Sequence, residues 1–568
     1  MKRMTGGQAI VEVLRAEGVK FVFGLPGGHT LGLYDALYDA RDIRHVLVRH
    51  EQVAANMAGA YAQLTGEVGV CTATAGPGVT NIVSGIAEAH VGALPVVAIA
   101  GRGHTRTTFR GAAQELPQDK MFAPITKWAV RVDRVDLLVE VMRQAFTIAR
   151  SGKPGPVLVD VPIDVMLDSV DFDGYVPVGK PPAPRPEAAV IGAVAEQLLA
   201  SERPIVVAGG GAVAAGANAE LVRLAEMRGL PVLTTLSGRG SFPDDHPLAG
   251  GGLGMHRTDV SKKLLAEADF VLGLGCRFEE FETNWKPGYV PRPDACYVQV
   301  DTDPVELGKS VVPQIPVLGD ARVTLQDLID ALETKGAPDH SRELDPLPRV
   351  RLLAEEKRHL EESLRASATS NGVPLHPVRV LAELRATFPR ETTLAVEIGA
   401  ITQGYSGAYP YFQVYEPRSV MVCTSFYAMG FVSSALPIAR LVYPDRPAIC
   451  VGGDGSFQMI MHVLPVAAEL ELGVTWCVFN NNALGSIRDL QTVVFGGRHI
   501  ATSFGVQPDF ARIAEACSCY GERVERPEEI TPAAQRALEA NTRGIPAVLD
   551  FAVADEPSQA SGEYFMGS

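Results

Sequence analysis

The chain has 568 residues, 46% of them hydrophobic and 21% charged, which is too long for one core, fits two to four domains and excludes a largely disordered protein. Its 51 Lys and Arg against 66 Asp and Glu leave a net charge of −15 spread along the chain, which excludes nucleic acid and anionic membrane as main partners. The N-terminus reads without a secretory signal and no apolar run is long enough to span a membrane; the eight cysteines, scattered without a zinc-type double pair, read as free thiols of a cytoplasmic protein.

In chain order, short β-branched runs alternate with helical patterns, the mark of parallel α/β sheets. Residues 1–175 offer strands in "KFVFGLPGG", "VGVCTATAGPG", "LPVVAIAGRG" and "GPVLVDVPIDV", with the helical "HEQVAANMAGAYAQL" among them. A proline-rich linker at 176–190 follows. Residues 191–340 bring "RPIVVAGGG", "LPVLTT", "DFVLGLGCRF" and "CYVQVDTDP". There "AGGGAVA" (Gly209, Gly211, Ala214) fits a dinucleotide fingerprint loosely, since no acidic residue closes the next strand. Beyond a second linker at 341–365, residues 366–568 repeat the alternation in "TTLAVEIGA", "SVMVCTS", "PAICVGGDG", "GVTWCVFNNN" and "IPAVLDFAV". The first and last sections share a plan, and "GPVLVDVPIDV" echoes "GIPAVLDFAVA" at the corresponding place. The expected fold is α/β, three doubly wound parallel-sheet domains with ligands at the carboxyl ends of the strands.

Within the last section, "VGGDGSFQMI" sets Asp454 in a glycine bracket where a strand hands over to the helical "SFQMIMHVLPVAAELE". The next strand ends in Asn480-Asn481-Asn482, and a right-handed crossover places both strand ends at one edge of the sheet. A carboxylate, an amide oxygen and a backbone carbonyl are hard oxygen ligands suited to Mg²⁺, which keeps positions for phosphate and water. Gly453 and Gly455 allow close backbone approach, and the helix N-terminus favours an anion.

"GDGS" followed at this distance by "NN" resembles the diphosphate–Mg²⁺ motif of thiamine diphosphate (ThDP) enzymes. In the first section "FGLPGG", "HEQVAANMAGAYA", "TATAGPGVTN" and "LPVVAIAG" appear in the order seen in the acetolactate-synthase-like members of that superfamily. The resemblance covers nearly the whole chain, and it implies pyrimidine-binding, central and diphosphate-binding domains in turn. It implies Asp454 and Asn481 as side-chain metal ligands, with Ala483 giving its main-chain carbonyl. Glu51, after the apolar "RHVLV" and opening a helix, would be the carboxylate that activates the cofactor's pyrimidine. Met429 in "CTSFYAMGF" would be the wedge that bends the cofactor, and Gly399, Tyr427, Gly453, Gly455 and Ser456 would complete its binding loops. Glu51 and Asp454 would serve one cofactor from different copies of the chain, which implies a homodimer or a dimer of dimers.

Departures from acetolactate synthases point to an altered pocket. Ala113-Gln114-Glu115 lacks a bulky wall, Ser486 and Leu490 replace a Met and a Trp, Ala400 and Ile401 stand for Gln-His, and Tyr427 stands for a Gly. His29 in "PGGHT", with Gln114, matches the benzaldehyde lyase branch, where a neutral imidazole could shuttle a hydroxyl proton. Otherwise His29 is a loop histidine bonded to backbone; His50 reads as structural. The tail "SQASGEYFMGS", with Tyr564, Phe565 and Met566, resembles the C-terminal lids of 2-hydroxyacyl-CoA lyase and oxalyl-CoA decarboxylase relatives. The expected activity is ThDP- and Mg²⁺-dependent making or breaking of a C–C bond in a small 2-oxo acid or 2-hydroxy carbonyl compound. The alternatives are a 2-hydroxyacyl-CoA lyase and a nucleotide-binding oxidoreductase without thiamine, and FAD or an ADP-containing ligand in the central domain is compatible with either course.

Overall fold

The computed structural model describes residues 2–345, 347–399 and 412–556. Three six-stranded sheets carry the chain, and every strand pair in them is parallel. The first sheet contains Phe21–Gly24, Arg44–Leu47, Gly69–Ala73, Val96–Arg102, Trp128–Arg131 and Val157–Pro162. Numbered in chain order within the sheet, they stand 2-1-3-4-6-5. The third sheet contains Thr393–Val396, Val420–Val422, Ala448–Gly453, Thr475–Asn480, Tyr520–Val524 and Ala547–Ala552, and stands in the same order, 2-1-3-4-6-5. The middle sheet contains Pro204–Ala208, Val232–Thr234, Ala249–Gly252, Phe270–Leu274, Cys296–Asp301 and Ile315–Leu318, in the dinucleotide-fold order 3-2-1-4-5-6. The common plan of the first and last sections is thus a common topology, and the echoing segments are the sixth strand of each sheet.

Central strands are buried on both faces and read as continuous apolar runs, as in Val96–Arg102. Four strands outside the expected set, Trp128–Arg131, Ala249–Gly252, Ile315–Leu318 and Tyr520–Val524, each close the edge of a sheet. Trp128–Arg131, Ile315–Leu318 and Tyr520–Val524 are partly solvated and so lose the apolar run that marks a central strand, whereas Ala249–Gly252 is buried and its three glycines carry no strand signal. A short antiparallel pair, Lys2–Thr5 with Ser169–Phe172, was also silent in the sequence.

By internal contact the chain divides into two units. One comprises residues 1–182 with 423–444 and 460–470; the other comprises 183–422, 445–459 and 471–568. In the first unit, helix Glu51–Thr65 is buried along 11 of its 15 residues and packs on Phe431–Ala435 and Pro437–Val442. Small residues permit this: a Cβ at Gly59 would lie 3.2 Å from the Phe431 ring, and one at Gly69 would lie 2.0 Å from the Ala58 carbonyl. His50 caps the helix, and Gly66, at φ +76°, ends it with its N–H on the Ala62 carbonyl.

Two local expectations change. The single helix expected after Asp454 is three short pieces, Asp454–Gln458, Met461–Val463 and Leu464–Glu469. Pro465 lacks an N–H and crowds the carbonyl four residues back, so it starts a helix here rather than continuing one. The second linker is mostly helical: Pro348–Ala368 runs 21 residues with only Val350 and Leu353 buried. All eight cysteines are free, six of them buried. Among the described residues no helix is long and apolar enough to cross a membrane.

Candidate active site

Glu51 is the first residue of its helix, and His50 Nδ1 accepts from the Gln52 N–H at 3.2 Å. The carboxylate is 7% exposed. Asn81 Nδ2 donates to Oε2 at 2.9 Å, while Oε1 lies beside Gly78, where a Cβ would come within 3.1 Å of it. The loop Thr74–Gly78 is the hub of this half. A Cβ at Gly27 would meet Thr74 Oγ1 at 2.5 Å, so the turn that carries His29 packs against it. Gly76, at φ +64°, has Gln114 Cβ 2.8 Å from where its own Cβ would stand. Glu51, His29 and Gln114 are therefore gathered around one loop. Gln114 is itself left-handed, at φ +62°, and exposed. His29 Nδ1 and Thr74 Oγ1 are buried without a hydrogen-bond partner among the described residues, so the backbone-bonded loop histidine is not what forms at Nδ1.

Several residues that position this half escaped the sequence reading. Fully buried Gln118 accepts the Gly76 N–H at 2.9 Å and donates to Asp160 Oδ1 at 2.9 Å and to the Gly101 carbonyl at 3.1 Å. Asp160 in turn pairs with Arg102. Burial pushes Asp160 up to about 6, against the lowering effect of Arg102. Tyr34 is raised by burial and then by the Glu51 charge, and burial pushes its hydrogen-bond partner His45 down to about 4. Buried Glu88 accepts the N–H groups of Thr424 and, at 2.9 Å, of Ala428, fixing the turn that presents Tyr427 and Met429. Its only sequence signal was an acid inside the apolar helix "GIAEAHVG". Tyr427 sits at φ +57°, a backbone region that glycine enters without strain.

In the other unit Asp454 follows strand Ala448–Gly453 and is 1% exposed. Its Oδ1 accepts the Gly455 N–H at 2.9 Å and its Oδ2 accepts Gln507 Nε2 at 2.6 Å. Burial pushes the carboxyl up to about 6, and the Gly455 N–H, the Gln507 amide and the N–H groups of Asn482 and Ala483 lower it. The structure thus joins Asp454 to the turn after the neighbouring strand, Thr475–Asn480. Asn481 Nδ2 donates to Asp555 Oδ1 at 2.8 Å, and Asp555 pairs with Arg488. Ala483 and Ser456 are buried. Gly399, at φ +149°, lies three residues after the first strand of this sheet, while Ala400, Ile401 and the tail with Tyr564, Phe565 and Met566 lie outside the described residues.

These residues fit a divalent cation and a phosphorylated ligand. The hydrogen bonds that lower the Asp454 carboxyl come from neutral donors, so a cation placed beside this buried carboxylate would lower it further. Gly453 has an ordinary φ of −78°, and a Cβ there would meet no protein atom within 4 Å. Neither strain nor packing explains that glycine, whereas close approach of a ligand does. Among the described residues there is no cluster of three His, Cys, Asp or Glu that could hold a metal ion. The central fingerprint is different: Cβ atoms at Gly209 and Gly211 would stand 2.2 and 2.7 Å from Gly275 backbone atoms, so packing alone requires both glycines.

Residues 4–121 match the thiamine pyrophosphate enzyme N-terminal TPP binding domain, 191–328 the central domain and 401–551 the C-terminal TPP binding domain. The probable acetolactate synthase large subunit of Methanocaldococcus jannaschii is 35% identical, over 98% of this chain and 93% of its own length. The acetolactate synthase large subunit of Corynebacterium glutamicum is also 35% identical, over 98% and 88%. The isozyme 3 large subunit of Escherichia coli is 33% identical, over 95% and 93%. Matches at both thiamine-binding domains overturn the alternative of an oxidoreductase that works without thiamine. With three parallel sheets in this order and likeness along nearly its whole length, the chain belongs to the acetolactate synthase family of thiamine diphosphate-dependent enzymes.

Proposed function

We propose that the protein is a Mg²⁺- and ThDP-dependent C–C lyase or carboligase acting on a 2-oxo acid or a 2-hydroxy carbonyl compound. The observation that carries this reading is the pairing of the buried Asp454 carboxyl with the open position at Gly453. Asp454, Asn481 and the Ala483 carbonyl would hold the cation, with the diphosphate laid along Gly453, Gly455 and Ser456. The chemistry supplied by bound ThDP is nucleophilic addition to a carbonyl and stabilisation of the carbanion left by C–C cleavage. Glu51 would hold a proton at the pyrimidine nitrogen through Oε1, since Asn81 already occupies Oε2. The unpartnered Nδ1 of His29 suits a relay for the substrate hydroxyl proton, with Gln114 orienting that hydroxyl. Met429, held through the Glu88 turn, would support the bent cofactor.

The substrate assignment leans on the names of the relatives and on Ala113, Ser486 and Leu490, which stand where acetolactate synthases carry bulkier residues and do not name the guest. The working form is a cytoplasmic homodimer or homotetramer in which each cofactor is served by two copies of the chain. Native mass spectrometry is expected to show bound ThDP, and the same spectrum reports FAD or an adenine nucleotide on the central domain. The protein is then expected to form acetolactate from pyruvate or to cleave a 2-hydroxy ketone. Inertness toward both, with cleavage of a 2-hydroxyacyl-CoA, transfers the assignment to the acyl-CoA lyase alternative.

A further inference from the structure

We propose that Asp555 is a positioning residue that decides which end of the Asn481 amide is offered to the cation; this rests on reading Asp454, Asn481 and Ala483 as the metal ligands. An asparagine side chain has an oxygen that can ligate Mg²⁺ and a nitrogen that cannot, and the two ends are nearly equal in shape. Something outside the ligand shell must choose between them. Asp555 makes the choice through charge. Its Oδ2 is ion-paired with Arg488, and its Oδ1 receives Asn481 Nδ2 at 2.8 Å. A carboxylate paired to a guanidinium only accepts hydrogen bonds, so Asn481 can present nothing but its NH₂ group to it. The amide oxygen is thereby reserved for the other side.

The local backbone is built around the same contact. A Cβ at Gly485, the first residue of helix Gly485–Phe495, would fall 2.8 Å from Asn481 Nδ2 and 3.8 Å from Asp555 Oδ1. Gly485 does not adopt the left-handed backbone, so room for the amide, not conformation, calls for glycine there. Asp555 itself follows the last strand, Ala547–Ala552, and lies 74 residues from Asn481 in sequence. Partners of metal ligands that fix their orientation commonly carry tenfold or more of the metal affinity.

The test uses the full chain stripped of cofactor, titrated with Mg²⁺ at saturating ThDP and followed by intrinsic fluorescence, alongside thermal unfolding of the cofactor-free protein. In Asp555→Asn, Arg488 takes the one remaining oxygen and Asn481 meets an NH₂, to which it must turn its own oxygen. The Mg²⁺ concentration for half-saturation is expected to rise roughly tenfold or more. Cofactor-free unfolding should not move, and turnover should recover at high Mg²⁺. Arg488→Met, which frees Asp555 to turn away, is expected to raise the Mg²⁺ requirement in the same direction by less. Half-saturation within twofold of the parent in both variants overturns the inference, as does a lowered unfolding temperature with unchanged Mg²⁺ demand. ThDP uptake by the parent that ignores Mg²⁺ overturns the ligand assignment itself, and this inference with it.

Discussion

The first and third sheets have one topology and use the same loop, the one after the third strand, for opposite purposes. Behind each loop stands the same device. In the first sheet Arg102 pairs with buried Asp160, which accepts Gln118, which accepts the Gly76 N–H. In the third, Arg523 donates to buried Asp550 at 2.6 Å, Asp550 accepts Asn480 Nδ2 at 2.9 Å, and Asn480 accepts Gln507 Nε2 at 2.8 Å. Gln507 then donates to Asp454. Asp160 and Asp550 come from the echoing segments, one on each sixth strand. The difference lies at the end of the chain of bonds. The first ends on a backbone N–H of a loop filled by its own protein, with Gln114 against Gly76 and Glu51 against Gly78. The second ends on a carboxylate beside Gly453, around which there is open space. Duplicate scaffolds thus yield a packed loop against Glu51 in one sheet and an open position beside a buried carboxylate in the other.

The largest expected contrast is between the two carboxylates. Asp454→Ala should abolish Mg²⁺-dependent ThDP uptake, measured by calorimetry, whereas Glu51→Gln should keep uptake and lose roughly 10²–10⁴-fold in turnover. Equal loss of binding in both would erase the distinction drawn here. The glycines come next. Gly76→Ala forces a Cβ into Gln114 at a left-handed position and should cost roughly 1–3 kcal/mol of stability in denaturant titration. Gly453→Ala should unfold like the parent and weaken ThDP binding instead, because its Cβ meets only ligand space.

The paired amides separate more gently. Gln507→Ala should raise the Mg²⁺ requirement roughly tenfold, while Gln118→Ala should lower stability and leave that requirement unchanged. The smallest effect concerns pH and the first sheet alone. His45 is held neutral in the fold, pushed down to about 4 by burial, so the unfolded chain binds the extra proton between about 4 and 6.5. Stability therefore falls as pH drops through that window. His45→Gln should flatten the difference by roughly 1–2 kcal/mol at pH 5, read from denaturant midpoints of the two proteins.

Much of this was legible in the residues themselves. Central strands showed because both faces are buried and their side chains run apolar without interruption; the spacing from Asp454 to Asn481 showed because adjacent parallel strands must end together. Glu51 showed as an acid opening a helix that is otherwise small and apolar. What stayed hidden depends on partners distant in sequence. Edge strands such as Tyr520–Val524 are half solvated, and Pro465 broke a helix whose apolar pattern ran on past it. Gln118, Glu88, Gln507 and Asp555 are ordinary polar residues in their own neighbourhoods. Their hydrogen bonds span 42, 336, 53 and 74 residues, and no local pattern encodes such a pairing. The sequence by itself pointed to the cofactor, because the motif that resembles the thiamine diphosphate enzymes is carried by glycines and strand ends at a local spacing. Only the tertiary structure decided which neutral amide bonds Asp454 and which distant carboxylate bonds Asn481, because a polar group takes whatever partner the fold brings to it.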